Sequence, residues 1–384
     1  MKKFIALLTA LLLLAITPAW AAPVPARFII TGSGFGHGVG LSQIGAKGLA
    51  LEGKSASDIL GYYFPGTTID TTPITQDIRV NIAHQSTYQA ITGMNIQLFK
   101  GDLTTIPTPI PAGATLKFAV VGKVISPTIT IKGAPTQILA PSSLFTVKWD
   151  GIVKVAGILL KYGSVALKVV AGKMEVTATM KLDTEYIYGI SEMSSAWPTA
   201  AIQSQAIASR TYGLSRINSI RKECDCNVYN TIYDQNYVGY SKESEPTIGA
   251  LWKAAVDATT GMSIAYNGAP INVYFFSSSG GTTQRSEDVW GTAFPYLTNV
   301  PDPYSLDLVL NPTYSHWQRV INQSDMSAAF GLPDIAMLSI DTKSVTNSAL
   351  SISATSSSGV KATLPVGTFK TKLKIPSSWF QINY

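Results

Sequence analysis

Between residues 75 and 180 the chain runs through IRVNIA, LKFAVV, TITIKG, FTVKWD and MEVTATM, short stretches that alternate apolar and polar side chains. A period of two puts one face of each stretch on a core and the other towards water. With Gly and Pro between them, these stretches predict antiparallel strands. From 182 the period changes to that of a helix. Trp197-Pro198 puts proline at the first helical position, and TAAIQSQAIASRTYGLSR follows. A second helix is expected from near Glu245-Pro246, carrying Ile248, Leu251, Trp252, Ala255 and Val256 at helical spacing and ending at Gly261. SIAYNGAPINVYFF reads as a hairpin turning at Asn267-Gly268. Strand-rich and helix-rich stretches in one chain predict an α+β fold. The tail beyond about 305 is mixed, with one short helix near 324–330.

The chain opens MKKFIALLTALLLLAITPAWAA. Lys2 and Lys3, an apolar run and Ala19-Trp20-Ala21 make a secretory leader, with cleavage expected after Ala21. The protein is therefore expected outside the cytoplasm. The formal charge of +6 includes Lys2 and Lys3, and the other basic residues are not clustered. Nucleic acid is not an expected partner. The 46% apolar fraction is enough to fill a core.

Residues 48 to 55, GLALEGKS, satisfy the G-x-x-x-x-G-K-[ST] pattern of a phosphate-binding loop. Such a loop must follow a buried strand and present free amides. Here FIIT is a short strand well upstream, and Ser42 caps a small-residue helix that runs to a stop at Gly53. Ser55-x-x-Asp58 is a capping box opening SDILGYYF, which ends near Pro65-Gly66. The string reads as one helix ending and the next beginning, so no nucleotide is expected. Five glycines lie between 32 and 40, but no register gives G-x-G-x-x-G.

The two cysteines, Cys224 and Cys226, form a C-x-C pair. A disulfide and two free thiols both stay open. A zinc site lacks ligands nearby in sequence, so no metal is expected.

Three stretches carry candidate chemistry. GSGFGHGVGLSQIGAKGLA places His37 among glycines. YIYGISEMSSAWPTAAIQSQAIASRTYGLSR places Glu192 just before a helix. YFFSSSGGTTQRSEDVWG ends an apolar strand in serines and glycines, without the G-x-S-x-G elbow of a serine hydrolase. Together with DQNYVGY, PYLTNVPDPYS and the closing GTFKTKLKIPSSWF, these blocks resemble the SpoIID/LytB family. Two departures stand out. The Gly-His-Gly block comes first in this chain, as though permuted, and Ser194 stands where the family has proline. Some members hold zinc through His and two Cys; the cysteine spacing differs here, so the metal is not carried over.

The resemblance implies a SpoIID-like core of helices and antiparallel strands with a β-rich inserted region. The expected organisation is a leader over 1–21, a Gly-His-Gly segment over 22–70 packing on the core, a β-rich region over 71–180, the core over 181–305 and a mixed segment over 306–384. It also implies a lytic transglycosylase that cuts peptidoglycan glycan strands and leaves 1,6-anhydro ends. One carboxylic acid serves as acid and then as base, with no cofactor, and Glu192 maps onto it. Its pKa must be raised by a partly dry site against the pull of a helix N-terminus, with Trp197 and Tyr188 as the expected desolvating neighbours. His37, Ser42, Gln43, Gln205, Arg210, Tyr212, Ser278 and Ser279 are the expected substrate-binding wall, although Arg210 fits a core ion pair equally well. The alternative implied activity is noncatalytic: a wall-binding enhancer partnered with an N-acetylmuramoyl-L-alanine amidase.

Overall fold

A computed structural model describes residues 24–383. The leader expected over 1–21 lies outside the described residues. The fold is α+β, with most strands antiparallel in several sheets. A seven-stranded sheet is built on Asp77–Ser86, Lys173–Lys181 and Ser164–Val170, and a six-stranded sheet on Tyr88–Gly93, Thr115–Val121 and Val124–Thr130. The alternation in sequence is the alternation in burial: in Thr115–Val121, Leu116 and Phe118 face inward. Val228–Tyr229 joins the larger sheet in parallel, with Val228 opposite Val80.

The helix Thr199–Arg216 is almost wholly buried along its middle. Small residues at Ala201, Ala206 and Ala208 let neighbouring helices approach closely. Gln43–Leu51, Ala56–Tyr63 and Gly249–Asp257 pack on it. Pro198 takes the cap position rather than the first turn, so the helix starts one residue later than its proline suggests. The second expected helix also starts later, at Gly249, after a short turn of helix over Tyr240–Glu243.

GLALEGKS divides as its side chains dictate. Gly48 to Leu51 close the helix Gln43–Leu51, Gly53 takes a left-handed φ of 83°, and Ser55 caps the next helix in a reciprocal box with Asp58. No run of free amides is left to hold a phosphate.

The strand Arg27–Ser33 lies between two strands from the other end of the chain, Trp317–Asn322 and Trp379–Asn383. A second apolar core forms there around Phe28, Ile30, Trp317, Phe369 and Phe380. The expected helix near 324–330 is present as Gln323–Phe330, and a further helix, Val366–Leu373, packs against it. Among the described residues no helix is long and apolar enough to cross a membrane.

Candidate active site

Glu192 sits in an irregular segment between Ile190 and the helix Thr199–Arg216. That segment is laced to residues 235–237. Ile190 bridges Tyr237, Ser191 N–H donates to the Asn236 carbonyl at 2.8 Å, and Asn236 Nδ2 donates to the Ser191 carbonyl at 3.0 Å. The Asn236 main-chain N–H then donates to Glu192 Oε1 at 2.6 Å. From the other side, Gln43 Nε2 donates to the Glu192 carbonyl at 3.0 Å and to Gln205 Oε1 at 3.1 Å. Gln205 Nε2 passes the chain on to Ser209 Oγ at 3.1 Å. The Gly-His-Gly segment therefore fixes the backbone of Glu192 directly.

Burial raises the Glu192 carboxyl above its ordinary value, and the Asn236 N–H pulls it part of the way back. The opposing pull comes from this loop amide rather than from a helix N-terminus, because the helix begins seven residues further on. The expected desolvating neighbours, Trp197 and Tyr188, are not among the residues lining the cleft into which Glu192 opens. Trp197 stacks under Lys47 at 5.2 Å, and the Tyr188 hydroxyl donates to Asp257.

Glu192 opens instead into a cleft of about 400 Å³ walled by the 273–277 segment, Trp290, Phe35 and the rim pair Ile232 and Tyr233. The rings of Tyr274 and Trp290 are 4.4 Å apart. His37 stands in this wall, 5.1 Å from the Trp290 ring. Its Nδ1 accepts the Val39 N–H at 3.1 Å, and the Phe275 carbonyl takes a bond from the ring. Burial and the nearby Lys370 push His37 down to about 4, so it stays neutral at neutral pH. Lys370, itself lowered to about 8 by burial, donates to the Gly36 carbonyl at 2.7 Å.

A second carboxylate, Asp234, also lines the cleft. All of its acceptor sites are used. Oδ1 takes Tyr212 Oη at 2.6 Å and Arg221 Nη2 at 2.8 Å; Oδ2 takes Arg221 Nη1 at 2.5 Å and the Tyr229 N–H at 2.8 Å. Burial alone would raise its pKa, but these bonds outweigh it and hold it low. Asp234 is thus an anion with no acceptor site free for a proton, and Tyr212 in the cleft wall is its partner.

The expected wall residues divide between the cleft and the interior. Gln43 and His37 line the cleft, while Gln205 is buried behind it as the second link of the chain to Glu192. Arg210 is fully buried and is not on the wall: its Nε lies 2.6 Å from Asp183 Oδ1, and its other nitrogens reach the Met262 and Val256 carbonyls. Ser42 and Ser279 are fully buried in a polar knot around Asp302 and do not line the cleft, although Leu41–Ser42 pairs in parallel with Phe275–Phe276 of its wall. Asp302 accepts from Ser279 Oγ at 2.7 Å, Ser305 Oγ at 2.5 Å and Tyr63 Oη at 2.9 Å, and Ser42 Oγ meets Ser305 Oγ at 3.2 Å. Ser278 is buried with its backbone paired to Phe35. Sequence reasoning missed Asn236, Asp234 and the aromatic wall, although DQNYVGY and the apolar run before the serines contain most of them. Cys224 and Cys226 are joined as a disulfide, so neither offers a thiolate to a metal.

The fold and cleft define an α+β protein that presents one carboxyl, raised by burial, between aromatic walls. Residues 170–266 match the family model described as stage II sporulation protein. An uncharacterised protein of Brachyspira hyodysenteriae is 34% identical over 143 residues, covering 36% of this chain and 37% of that protein. The amidase enhancer of Bacillus subtilis is 34% identical over 106 residues, 28% of this chain and 13% of its own length. Stage II sporulation protein D of Bacillus subtilis is 30% identical over 132 residues, 31% of this chain and 38% of its own length. The likeness to the SpoIID family is thus carried by residues 170–266, and the chain spans well under half the length of these relatives.

Proposed function

We propose that this protein is an exported peptidoglycan lytic transglycosylase of the bacterial cell envelope. The observation that carries the reading is the pairing of one carboxyl raised by burial with a cleft whose other carboxylate is saturated. A hydrolase of the two-carboxylate kind needs a second group free to act as base or nucleophile. A transglycosylase does not. Glu192 gives its proton to the glycosidic oxygen between MurNAc and GlcNAc as the C1–O bond breaks. The carboxylate so formed takes the proton of the same sugar's C6 hydroxyl while that oxygen bonds C1, closing the 1,6-anhydro ring. Glu192 ends the cycle protonated. Such transfer contributes about 10²–10⁴ in rate. The exposed Tyr233 and Trp290 at the rim suit the apolar faces of sugar rings.

The name of the Bacillus subtilis relative, amidase enhancer, favours a second reading, in which the cleft binds glycan and a cell-wall amidase does the cutting. One experiment separates the two. Glycan strands, with and without stem peptides, are incubated with the protein and with Glu192→Gln, and anhydro-muramyl ends are counted by mass spectrometry. Ends made by the wild type and lost in Glu192→Gln support the transglycosylase. No ends from the wild type on either substrate, together with faster release of peptides by an added amidase, supports the enhancer.

A further inference from the structure

Glu192 lies on neither a helix nor a strand, so groups from elsewhere must hold its backbone. Gln43 takes the Glu192 carbonyl. The next carbonyl along, that of Met193, accepts from Lys242 Nζ at 3.0 Å. Lys242 belongs to the short helix Tyr240–Glu243, and its side chain is only 2% exposed. Its ammonium also meets Glu245 Oε1 at 3.2 Å and Oε2 at 3.3 Å, so its three hydrogens have three acceptors. Glu245 Oε2 in turn accepts from the hydroxyl of Ser195 at 2.6 Å, and Ser195 is fully buried. One ion pair thus grips the loop of the acid at two points, the Met193 carbonyl and the Ser195 hydroxyl.

Burying a charge beside its partner is a poor way to hold a fold. The loss of hydration offsets much of the attraction, and well-packed apolar side chains of the same volume would serve as well. What the pair adds to packing is direction: bonds to two defined atoms of one loop. The lysine is itself kept in place, with its ammonium 5.7 Å from the centroid of the buried Trp252 ring. Its charge is not what acts on the Glu192 carboxyl, whose shift comes from burial and from the Asn236 N–H.

We infer that Lys242, through its pair with Glu245, is a positioning residue for Glu192, holding the loop in the geometry that keeps the carboxyl buried against the Asn236 N–H. In naming a reaction that this serves, the inference rests on the transglycosylase reading above. Position and charge act on the carboxyl in opposite directions. A loop set loose lets water reach the carboxyl and lowers its pKa towards the ordinary value, whereas the mere loss of a nearby positive charge would raise it.

The test is a carbon-13 NMR titration of the Glu192 carboxyl in glutamate-labelled protein, its resonance identified by its absence in Glu192→Gln. Wild type, Lys242→Met and Ser195→Ala are compared. Lys242→Met keeps most of the stem and removes the charge. Ser195→Ala leaves the ion pair whole and cuts one of its two holds on the loop. His37, Asp234, Tyr212, Tyr233 and Tyr274, the other titratable groups of the cleft, are the same in all three. Glu192 should hold its proton about tenfold less tightly in Lys242→Met, and less tightly to a smaller degree in Ser195→Ala. On glycan strands kcat for anhydro ends should fall about tenfold in Lys242→Met with KM unchanged, since a displaced acid is missed at the transition state. An unchanged or raised midpoint in Lys242→Met would overturn the positioning role, and an unchanged kcat beside a lowered midpoint would overturn its link to the reaction. If Lys242→Met does not fold, Ser195→Ala decides: a lowered midpoint sustains the role and an unchanged one ends it. A wild type that makes no anhydro ends would sink the transglycosylase and leave the titration result standing.

Discussion

The main-chain N–H of Asn236 donates to Oε1 of Glu192 across 2.6 Å, against a burial that favours the neutral acid. The balance falls on the side of burial, and the sign of its effect on stability follows. With the folded pKa above the ordinary value of 4.5, the folded state resists an ionisation that the unfolded chain undergoes freely. Below the unfolded pKa both states are protonated and nothing is lost. As pH rises through the folded pKa the loss becomes complete. Glu192→Gln keeps the acceptor for Asn236 and removes the ionisation. Scanning calorimetry should therefore find the variant more stable than wild type at about pH 7 and equal to it at about pH 3, while turnover falls about 10²–10⁴-fold. Equal stabilities at neutral pH would mean that Glu192 is not raised.

Gln43 reaches Glu192 through its carbonyl, not its carboxyl. Gln43→Leu removes the donor shared by the Glu192 carbonyl and Gln205 Oε1 and leaves two buried acceptors unpaired. The expected cost is about 1–3 kcal/mol in chemical denaturation. If the bond positions the acid, kcat should also fall more than KM rises, because a displaced acid is missed at the transition state. A change confined to stability would reduce Gln43 to a packing residue.

The Asp302 knot explains why a helix glycine resists improvement. Gly45 lies inside Gln43–Leu51, where alanine ordinarily gains about 1 kcal/mol. A Cβ there would lie 1.7 Å from Tyr63 Oη and 2.3 Å from Asp302 Oδ1. Gly45→Ala should destabilise by about 1–3 kcal/mol, the cost of overpacking, and Asp302→Ala by at least about 3 kcal/mol, since it strands three hydroxyls. Urea denaturation of both variants checks the pair. A stabilised Gly45→Ala would show that helix propensity outweighs the contact.

What the sequence made legible was local. The Ser42 cap, the Ser55–Asp58 box and the turn at Asn267-Gly268 each depend on residues within a few positions, and each forms. The strands of 75–180 follow from a period that any window displays. Glu192 was found through its motif, but its surroundings were not, because they come from afar. Gln43 is 149 residues from Glu192, and Ser42 is 263 from Ser305. Arg210, Ser42 and Ser279 belong to a polar motif yet face inward, and only the positions of Asp183 and Asp302 decide that. Val366–Leu373 escaped notice because GTFKTKL offers few apolar residues, of which Phe369 and Leu373 are the buried pair.

Asp234 gives the test that distinguishes one acid from two. Its pKa is depressed by Arg221 and Tyr212, so it stabilises the fold at pH values above the unfolded value of 3.8, and that contribution is lost as pH falls through the folded pKa. Asp234→Ala should cost about 3 kcal/mol at about pH 7, because it leaves the Arg221 charge and the Tyr212 hydroxyl without their partner. The difference from wild type should shrink towards about pH 3. Were Asp234 a base or nucleophile, its loss would also remove one limb of the pH–rate profile. As a saturated anion it has no proton to trade, so the profile of the variant should keep the single limb set by Glu192, at whatever rate the loosened cleft allows. Stopped assays of anhydro-end formation across pH, run below the melting temperature of the variant, read that limb directly. A missing limb in Asp234→Ala would make the cleft a two-carboxylate site and return the choice between hydrolysis and ring closure to the products themselves.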